Sequence, residues 1–437
     1  YYKIQVNDPK TKKKENKKKT YELEIDSILL QFYYTGVGIL SFHLNNRSED
    51  QSSKEDILWI NQFGRRLYPP FFRIPQDKVG KTELDDYGEF ASNLPTGIEL
   101  AHSISLKIPG KKEISECWKS YEEYKNFKAT PFLLPAFIEE LLPEAFRKEK
   151  EKEASPLKQK FDIIPALDDR MFVVSWYGND RLARGIYGAR PRKEHIQLKY
   201  LSDDWWFKYV FVDTGSLSCE NEVMQKDLIQ AATNGRWAKY GTLYGVTDYS
   251  FVLLSSTIES LGGFAFVVNH MQTMYYKLAE LVLLQRASVQ RFSDEVTHIS
   301  QLNEQEKTRE KKNETLADKV SSLYMLYIRF VNKIFFREVT AQIQGVELYR
   351  LLQSQCRIEK LVKDLDGEIN ELHHYVLQRQ EKQRNERLET LTVLGAIFLA
   401  PSLIFGLYGV SILNGLPRPC LNLILPVLAG ITIIIAI

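Results

Sequence analysis

Few residues of this chain have a type and spacing that would allow chemistry. Gly36-Val37-Gly38 is similar to the start of a phosphate-binding loop, but Ser41 stands where a third glycine is needed. His373-His374 lie in a predicted helical segment, where they either form part of an exposed face or bind a metal ion. Trp205-Trp206 are predicted to alternate across a strand, with base stacking as the alternative. No nucleophile is paired with a base in the sequence, and we do not expect an enzyme.

The composition excludes other classes of protein. The 437 residues include four cysteines that lie far apart, without CxxC spacing or histidine partners. They indicate a reducing compartment and neither a disulfide framework nor a zinc site. The net charge of +2 argues against direct nucleic-acid binding through phosphate contacts. The chain starts without methionine and stops inside an apolar run, so we expect sequence to be missing at both ends.

Residues 1–260 are predicted to form an α/β domain. Alternating polar and apolar residues at Lys3-Ile4-Gln5-Val6 and from Tyr21 to Ile25 predict strands, joined by a lysine-rich loop. That loop is a solvated hairpin tip or a basic contact surface. Further predicted elements are strands at Met171 to Trp176 and Trp205 to Val212, and helices at Lys54 to Phe63, Pro131 to Phe146 and Cys219 to Thr233.

The pattern then changes to helix. Apolar residues at steps of three and four predict an antiparallel helical hairpin over residues 261–342. Residues 343–389 follow as a stalk helix with a narrow heptad seam, which is typical of packing between copies. The seam consists of Leu348, Leu351, Gln355, Ile358, Val362, Leu365, Ile369, Leu372 and Val376.

The end of the chain carries almost no charge. Residues 390–417 contain no charged side chain, and after Arg418 there is none through Ile437. A charge at the centre of a helix in lipid costs about 2.5–3.5 kcal/mol. The pattern therefore predicts one transmembrane helix over 390–412, a loop over 413–419 and a second transmembrane helix over 420–437. With no export signal, both ends are expected in the cytosol.

This order of elements resembles the CorA family of divalent-cation channels. That family ends its first span in Tyr-Gly-Met-Asn, and Tyr408-Gly409-Val410-Ser411 stands at this place. Pro401 and Gly406 stand about where the family has a proline and a glycine. The resemblance implies a cytosolic α/β domain, a helical hairpin, a stalk helix and two transmembrane helices in a CorA-like homo-oligomer. It further implies five copies, a lipid bilayer as partner, and the bacterial inner membrane as location.

The resemblance also implies which residues line a pore. Positions at about 3.5-residue spacing face the axis, and the apolar ones form a gate or continue the stalk core: Leu388, Leu391, Gly395, Leu399, Ser402 and Gly406. Ser411 and Asn414 belong to the pore mouth or to an ordinary turn. Without the family's asparagine, and with Arg418 where acids are usual, selectivity for Mg²⁺ is weakened.

One branch of the family fits this departure, namely the CorA-like effectors encoded beside type III CRISPR systems. Phe63-Gly64-Arg65-Arg66-Leu67-Tyr68-Pro69-Pro70 and Gln285-Arg286-Ala287-Ser288 are similar to that branch, as are residues 335–340 and 344–349. The similarity implies a nucleotide messenger, either a cyclic oligoadenylate or an S-adenosylmethionine–AMP conjugate. Candidate phosphate contacts, with ordinary ion pairing as the alternative, are Arg65, Arg66, Arg170, Arg181 and Arg184.

Three functions follow as hypotheses. The first is a ligand-gated membrane effector in antiviral defence, and the second is a constitutive transporter of Mg²⁺ or another divalent cation. The third is a non-conducting membrane scaffold that recruits a partner enzyme. Two acidic pairs occur at Asp168-Asp169 and Asp203-Asp204. The family resemblance implies that they bind regulatory cations between subunits, and the alternative is that they lie in solvated turns. No metal ligand set is assigned from the sequence.

Overall fold

A computed structural model describes residues 1–7, 18–66, 101–117, 135–143, 170–187, 199–214, 218–306 and 316–413, with single positions at 163, 166, 426 and 430. The chain divides into two compact units. Unit 1 comprises Tyr1–Ser293 and Ile328–Leu365, and unit 2 comprises Asp294–Tyr327 and Asp366–Ile437.

The first sheet of unit 1 is antiparallel, with the strand order β3-β2-β1-β4-β5. Tyr2, Ile4 and Val6 of the central strand are buried, because alternate side chains of a strand point to the same face. The strands are β1 (Tyr2–Asn7), β2 (Lys18–Phe32), β3 (Gly38–Asn45), β4 (Ala101–Leu106) and β5 (Ile114–Cys117).

Two helices contribute to the core of this sheet. Helix α1 (Lys54–Gly64) begins where the Ser53 side chain accepts a hydrogen bond from the Asp56 backbone N–H, which satisfies a free donor of the first turn. Helix α2 spans Ala136–Glu139. Phe63 of α1 and Phe137 of α2 are buried among the apolar side chains of the strands. The predicted helix from Lys54 thus has nearly the observed bounds.

The second sheet of unit 1 has the order β6-β9-β8-β7, and only its β6–β9 pair is parallel among the described strands. Its strands are β6 (Val173–Gly178), β7 (Thr233–Asn234), β8 (Leu243–Val246) and β9 (Ser250–Ser255). Three helices belong to this region: α3 (Asp180–Tyr187), α4 (Asp204–Val210) and α5 (Glu222–Ala232).

The predicted strand from Trp205 to Val212 is wrong, because these residues form helix α4. The Asp203 side chain accepts the Trp206 backbone N–H and starts the helix. Trp205, Trp206 and Phe207 are all buried, so neighbouring positions face apolar surroundings. Its charged residues are only Asp204 and Lys208, and seven residues are too few to show a helical periodicity.

Longer helices follow. After α6 (Ile258–Leu261) and α7 (Phe266–His270), a π-helical turn at Met271–Tyr275 leads into α8 (Tyr276–Glu306). The others are α9 (Leu316–Lys333), α10 (Ile343–Gln355) and α11 (Ile358–Leu413). The stalk predicted as one helix is therefore interrupted, and Arg357 at the break has a φ of 53°. In unit 1, Phe292 of α8 contacts Phe330 of α9 at 5.7 Å between ring centroids.

In unit 2, α11 packs against α9. Tyr324 and His373 stack with ring centroids 4.8 Å apart, and the Tyr327 hydroxyl donates to Asp366 Oδ1 at 3.0 Å. Ile369 and Val376, two members of the predicted heptad seam, are buried here within a single chain. This part of the seam therefore does not depend on a second copy.

The predicted pair of transmembrane helices is wrong, because no helix in the described part of the chain is long and apolar enough to cross a membrane. Residues 390–412 are the end of α11, a helix of 56 residues, and the twelve residues before them include seven charged ones. The predicted loop 413–419 and second span 420–437 lie outside the described residues, except Leu413, Pro426 and Gly430.

The same finding contradicts the predictions that depended on those helices, namely a membrane protein, an ion channel and an inner-membrane location. What the structure gives in their place is a mixed α/β fold with long helices.

Candidate functional site

The most distinctive surface of the chain is the end of α11, residues 388–403, in which Glu389 is the only charged residue. Its described side chains are exposed throughout, and Leu391 and Phe398 each retain 68% of their accessible surface. Its large apolar residues are Leu388, Leu391, Val393, Leu394, Ile397, Phe398, Leu399 and Leu403. Monomeric proteins rarely expose an apolar surface this continuous, and such a surface marks an interaction site.

The hydroxyl groups of this segment bond to the helix itself. Thr390, Thr392 and Ser402 each donate to the backbone carbonyl four residues earlier, at 2.8, 2.7 and 2.8 Å. A hydroxyl satisfied in this way makes less demand on water. The segment therefore presents few free polar groups to its surroundings.

The structure places five of the six predicted pore-lining residues on this segment, and Gly406 follows three residues after it. Leu388, Leu391 and Leu399 are exposed, and Ser402 bonds to the Phe398 carbonyl. A methyl group added at Gly395 or Gly406 would come within 4 Å of no described residue of the same copy. The side chains of the predicted mouth, Tyr408-Gly409-Val410-Ser411, lie outside the described residues, as do Asn414 and Arg418.

Three of the five arginines proposed for phosphate contacts come together in unit 1. Arg66 forms an isolated β-bridge with Arg170, and the Arg65 backbone carbonyl accepts the Met171 N–H at 2.8 Å. The Arg65 guanidinium lies 5.0 Å from the ring centroid of Tyr249. Arg65 and Arg66 retain only 4% and 3% of their surface. Burial of arginine requires compensating partners, and these residues do have further partners.

The pKa of Tyr249 depends on the charges of this cluster. Burial raises the pKa of its hydroxyl, and the Asp248 carboxylate adds to that effect, whereas Arg65 and Arg170 oppose it. Arg181 and Arg184 lie on another element, α3, where both are exposed. Arg65, Arg66 and Arg170 therefore lie near one another, Arg181 and Arg184 lie elsewhere on α3, and the proposed phosphate contacts stay a prediction.

The other candidate residues have structural roles or are not described. Gly36 lies in the turn between β2 and β3 with a φ of 75°, and its N–H donates to the Tyr33 carbonyl, so this loop does not present that N–H to a phosphate. Asp203 caps α4, Asp168-Asp169 lie outside the described residues, and His373 stacks on Tyr324. Trp205 is buried and donates to the Lys54 carbonyl at 2.8 Å.

Sequence reasoning missed a buried polar cluster between β2, β3 and α8. Glu280 is only 6% exposed, and its carboxylate accepts from the Tyr33 hydroxyl at 2.6 Å and from Lys277 Nζ at 2.7 Å. Burial acts to raise the pKa of Glu280, but bonds from Lys277, Tyr33 and Tyr276 outweigh it and leave the pKa below its usual value. Tyr276 in turn donates to Ser41 at 2.9 Å.

A row of exposed aromatic rings was missed as well. Trp237, Tyr240, Phe264 and Phe266 follow one another with centroid distances of 6.0, 5.8 and 6.3 Å. The row comes from a 3₁₀ turn at Ala238–Tyr240, a second one at Gly262–Phe264, and α7. The only sequence signal was Phe264-Ala265-Phe266 before a helix, which is equally typical of a buried helix start.

Metal ligands and a reactive thiol are not indicated by the described residues. Among them, no three histidine, cysteine, aspartate or glutamate side chains come together as a metal site. Burial raises the pKa of the Cys356 thiol to about 11, which disfavours the reactive thiolate. Comparisons with protein families, with curated proteins and with solved structures find no match for this chain.

Proposed function

We propose that this protein works as an oligomer assembled through residues 388–403 of α11. The observation that carries the proposal is the change along one continuous helix. Ile358, Ile369 and Val376 are buried within the chain, whereas the large apolar residues from Leu388 to Leu403 are exposed. Eight such side chains contribute on the order of 10 kcal/mol when buried. That is comparable to the cost of association, about 4–15 kcal/mol.

More than two copies are expected in this assembly. At 100° per residue, Leu388, Leu391 and Leu399 share one face of α11, and Val393 and Ile397 lie on the opposite face. A two-stranded contact covers one seam only. A helix that is apolar all round is covered when several neighbours surround it.

The glycines support close packing of these helices. Glycine inside a helix costs about 1 kcal/mol relative to alanine. Among the described residues of a single copy, nothing lies close enough to Gly395 or Gly406 to require the small size of glycine. A neighbouring helix that approaches closely at these positions accounts for them.

The test is the mass of the particle in solution. We expect the protein to sediment as an oligomer at micromolar concentration, and the double variant Leu391→Glu, Leu399→Glu to sediment as a monomer, because it adds charges to the interface. The matched control is Val223→Glu, at an apolar residue of α5 that is 70% exposed. A double variant with the mass of the wild type would refute assembly through α11.

The functional hypotheses drawn from the sequence have different outcomes. The channel and the Mg²⁺ transporter both required transmembrane helices, and they are not carried forward. A nucleotide messenger and a role in type III CRISPR defence stay predictions. Arg65, Arg66 and Arg170 lie together in unit 1, but all three have interactions within the chain, so their clustering adds no support for an anionic ligand.

A further inference from the structure

The aromatic row of unit 1, defined as Trp237, Tyr240, Phe264 and Phe266, is held in place although it faces solvent. The Trp237 indole N–H donates to Gln344 Oε1 at 3.0 Å. Next to it, Arg236 pairs with Glu347 through two of its nitrogens. Tyr240 at the centre of the row retains 60% of its surface. Fixed aromatic side chains lose little conformational freedom when a partner covers them.

We propose that this row is the contact between the α/β units of neighbouring copies in the oligomer. The inference rests on the proposed assembly through α11 and adds a second interface to it. Tyrosine, tryptophan and phenylalanine are enriched in protein interfaces, and each of these side chains buries about 150–250 Å² when fully covered.

The area of the aromatic row supports a second copy of this chain as its partner. A stable interface buries about 800 Å² on each partner. The eight apolar residues of α11 lie within only sixteen residues of a single helix, a length of about 24 Å. Four aromatic rings, each about half exposed, add on the order of 400 Å², which is a substantial share of what a stable interface needs.

The charges around the row suit a head-to-tail contact. Lys239 lies in the same 3₁₀ turn as Tyr240, and Glu259 lies in α6, shortly before Phe264. Lys239 and Glu259 have opposite charges, so they can pair when the row of one copy meets that of the next. Repeated head-to-tail contacts close into a ring when the rotation between copies closes, and otherwise extend into a filament.

The experiment measures assembly in variants of the row. Tyr240→Glu and Phe264→Glu are expected to weaken assembly at least tenfold in sedimentation, because a charge is placed in a covered apolar contact. The control Phe32→Glu replaces a ring on β2 that is equally exposed, at 55%, and is expected to change assembly less than threefold. Unchanged far-UV circular dichroism shows that each variant is folded.

A second measurement follows Trp237 itself. The difference in iodide quenching between the wild type and Trp237→Phe reports the exposure of this indole. We expect it to be shielded in the assembled protein and accessible in the monomeric Leu391→Glu, Leu399→Glu variant.

The outcomes separate the two proposals. If the row variants assemble like the wild type and Trp237 stays accessible, the row is not an interface, while assembly through α11 stands. The same conclusion follows if adenosine monophosphate shields Trp237 in the monomeric variant and the row variants still assemble, because the row then holds a planar ligand. If the wild type is itself a monomer, both proposals fall.

Discussion

Asp56 shows how one residue fixes helix α1 against the first sheet. Its carboxylate accepts hydrogen bonds from the Tyr21 hydroxyl at 2.9 Å and the Ser53 hydroxyl at 2.6 Å, and it pairs with Lys19. Its own backbone N–H donates to Ser53 Oγ at 3.1 Å. Burial acts to raise the pKa of Asp56, but the bonds from Lys19, Ser53 and Tyr21 outweigh it and leave the pKa below its usual value.

We expect Asp56→Asn to lower the free energy of unfolding by about 2 kcal/mol at pH 7, because hydrogen bonds to a charged group are lost. In the unfolded chain an aspartate has a pKa of about 3.9. Because the folded pKa is lower, the carboxylate stabilises the fold above that pH and loses this effect as the pH falls through the folded pKa. Urea unfolding at pH 7 and at pH 3 measures both effects.

The matched control is Glu55→Gln on the first turn of the same helix, where the side chain of Glu55 is 59% exposed. This change should alter the unfolding free energy by less than about 0.5 kcal/mol at either pH. An Asp56→Asn variant whose stability depends on pH in the same way as the wild type would show that Asp56 contributes nothing to acid sensitivity.

The sequence identified candidate residues only where local pattern was enough. Arg65 and Arg66 stand next to each other in the chain, and their position after α1 was visible. Glu280 and Tyr33 lie 247 residues apart, so no spacing rule joins them. Only the fold of unit 1 brings the α8 carboxylate to the hairpin after β2.

At the scale of helices and strands, the sequence predicted the elements that have a single apolar face. Helix α5 and strand β1 follow their patterns closely. Helix α4 does not, because its aromatic residues Trp205, Trp206, Phe207 and Tyr209 are all buried and its only charged residues are Asp204 and Lys208. A run of aromatic residues favours a strand by propensity, but tertiary burial decided the outcome.

The break between α10 and α11 also has no sequence signal, since neither glycine nor proline marks it. Arg357 nevertheless takes a left-handed conformation there, with a φ of 53°. The left-handed region costs a non-glycine residue about 1–2 kcal/mol, and glycine is the usual residue after a helix end. We expect Arg357→Gly to raise the free energy of unfolding by about 0.5–1 kcal/mol, measured by urea unfolding.

The comparison variant is Lys360→Gly, at an exposed position inside α11. There glycine should lower the free energy of unfolding by about 1 kcal/mol, because it loses more backbone entropy on folding. Opposite signs for the two glycine substitutions are the expected result. Equal destabilisation by both would mean that the Arg357 side chain contributes more to folding than its backbone costs.

At the scale of the whole molecule, the sequence overstated what an uncharged segment means. Residues 390–413 have no charge, and this alone led to a transmembrane helix. The structure continues α11 without a break from its charged turns into this segment, but none of the described helices is long and apolar enough to span a membrane. Lack of charge indicates that a helix is buried in apolar surroundings. It does not show whether these surroundings are lipid or other copies of the same helix, because both are apolar.

Assembly predicts that thermal stability depends on protein concentration. If oligomerisation buries residues 388–403, mass action stabilises the folded oligomer against the unfolded chain. A hundredfold dilution should then lower the unfolding midpoint by a few degrees, because it removes up to about 2.7 kcal/mol of linkage free energy. The Leu391→Glu, Leu399→Glu variant should unfold at one temperature at both concentrations. Scanning calorimetry at two concentrations measures this, and a wild-type midpoint that does not move on dilution would leave these exposed side chains without a self-association role.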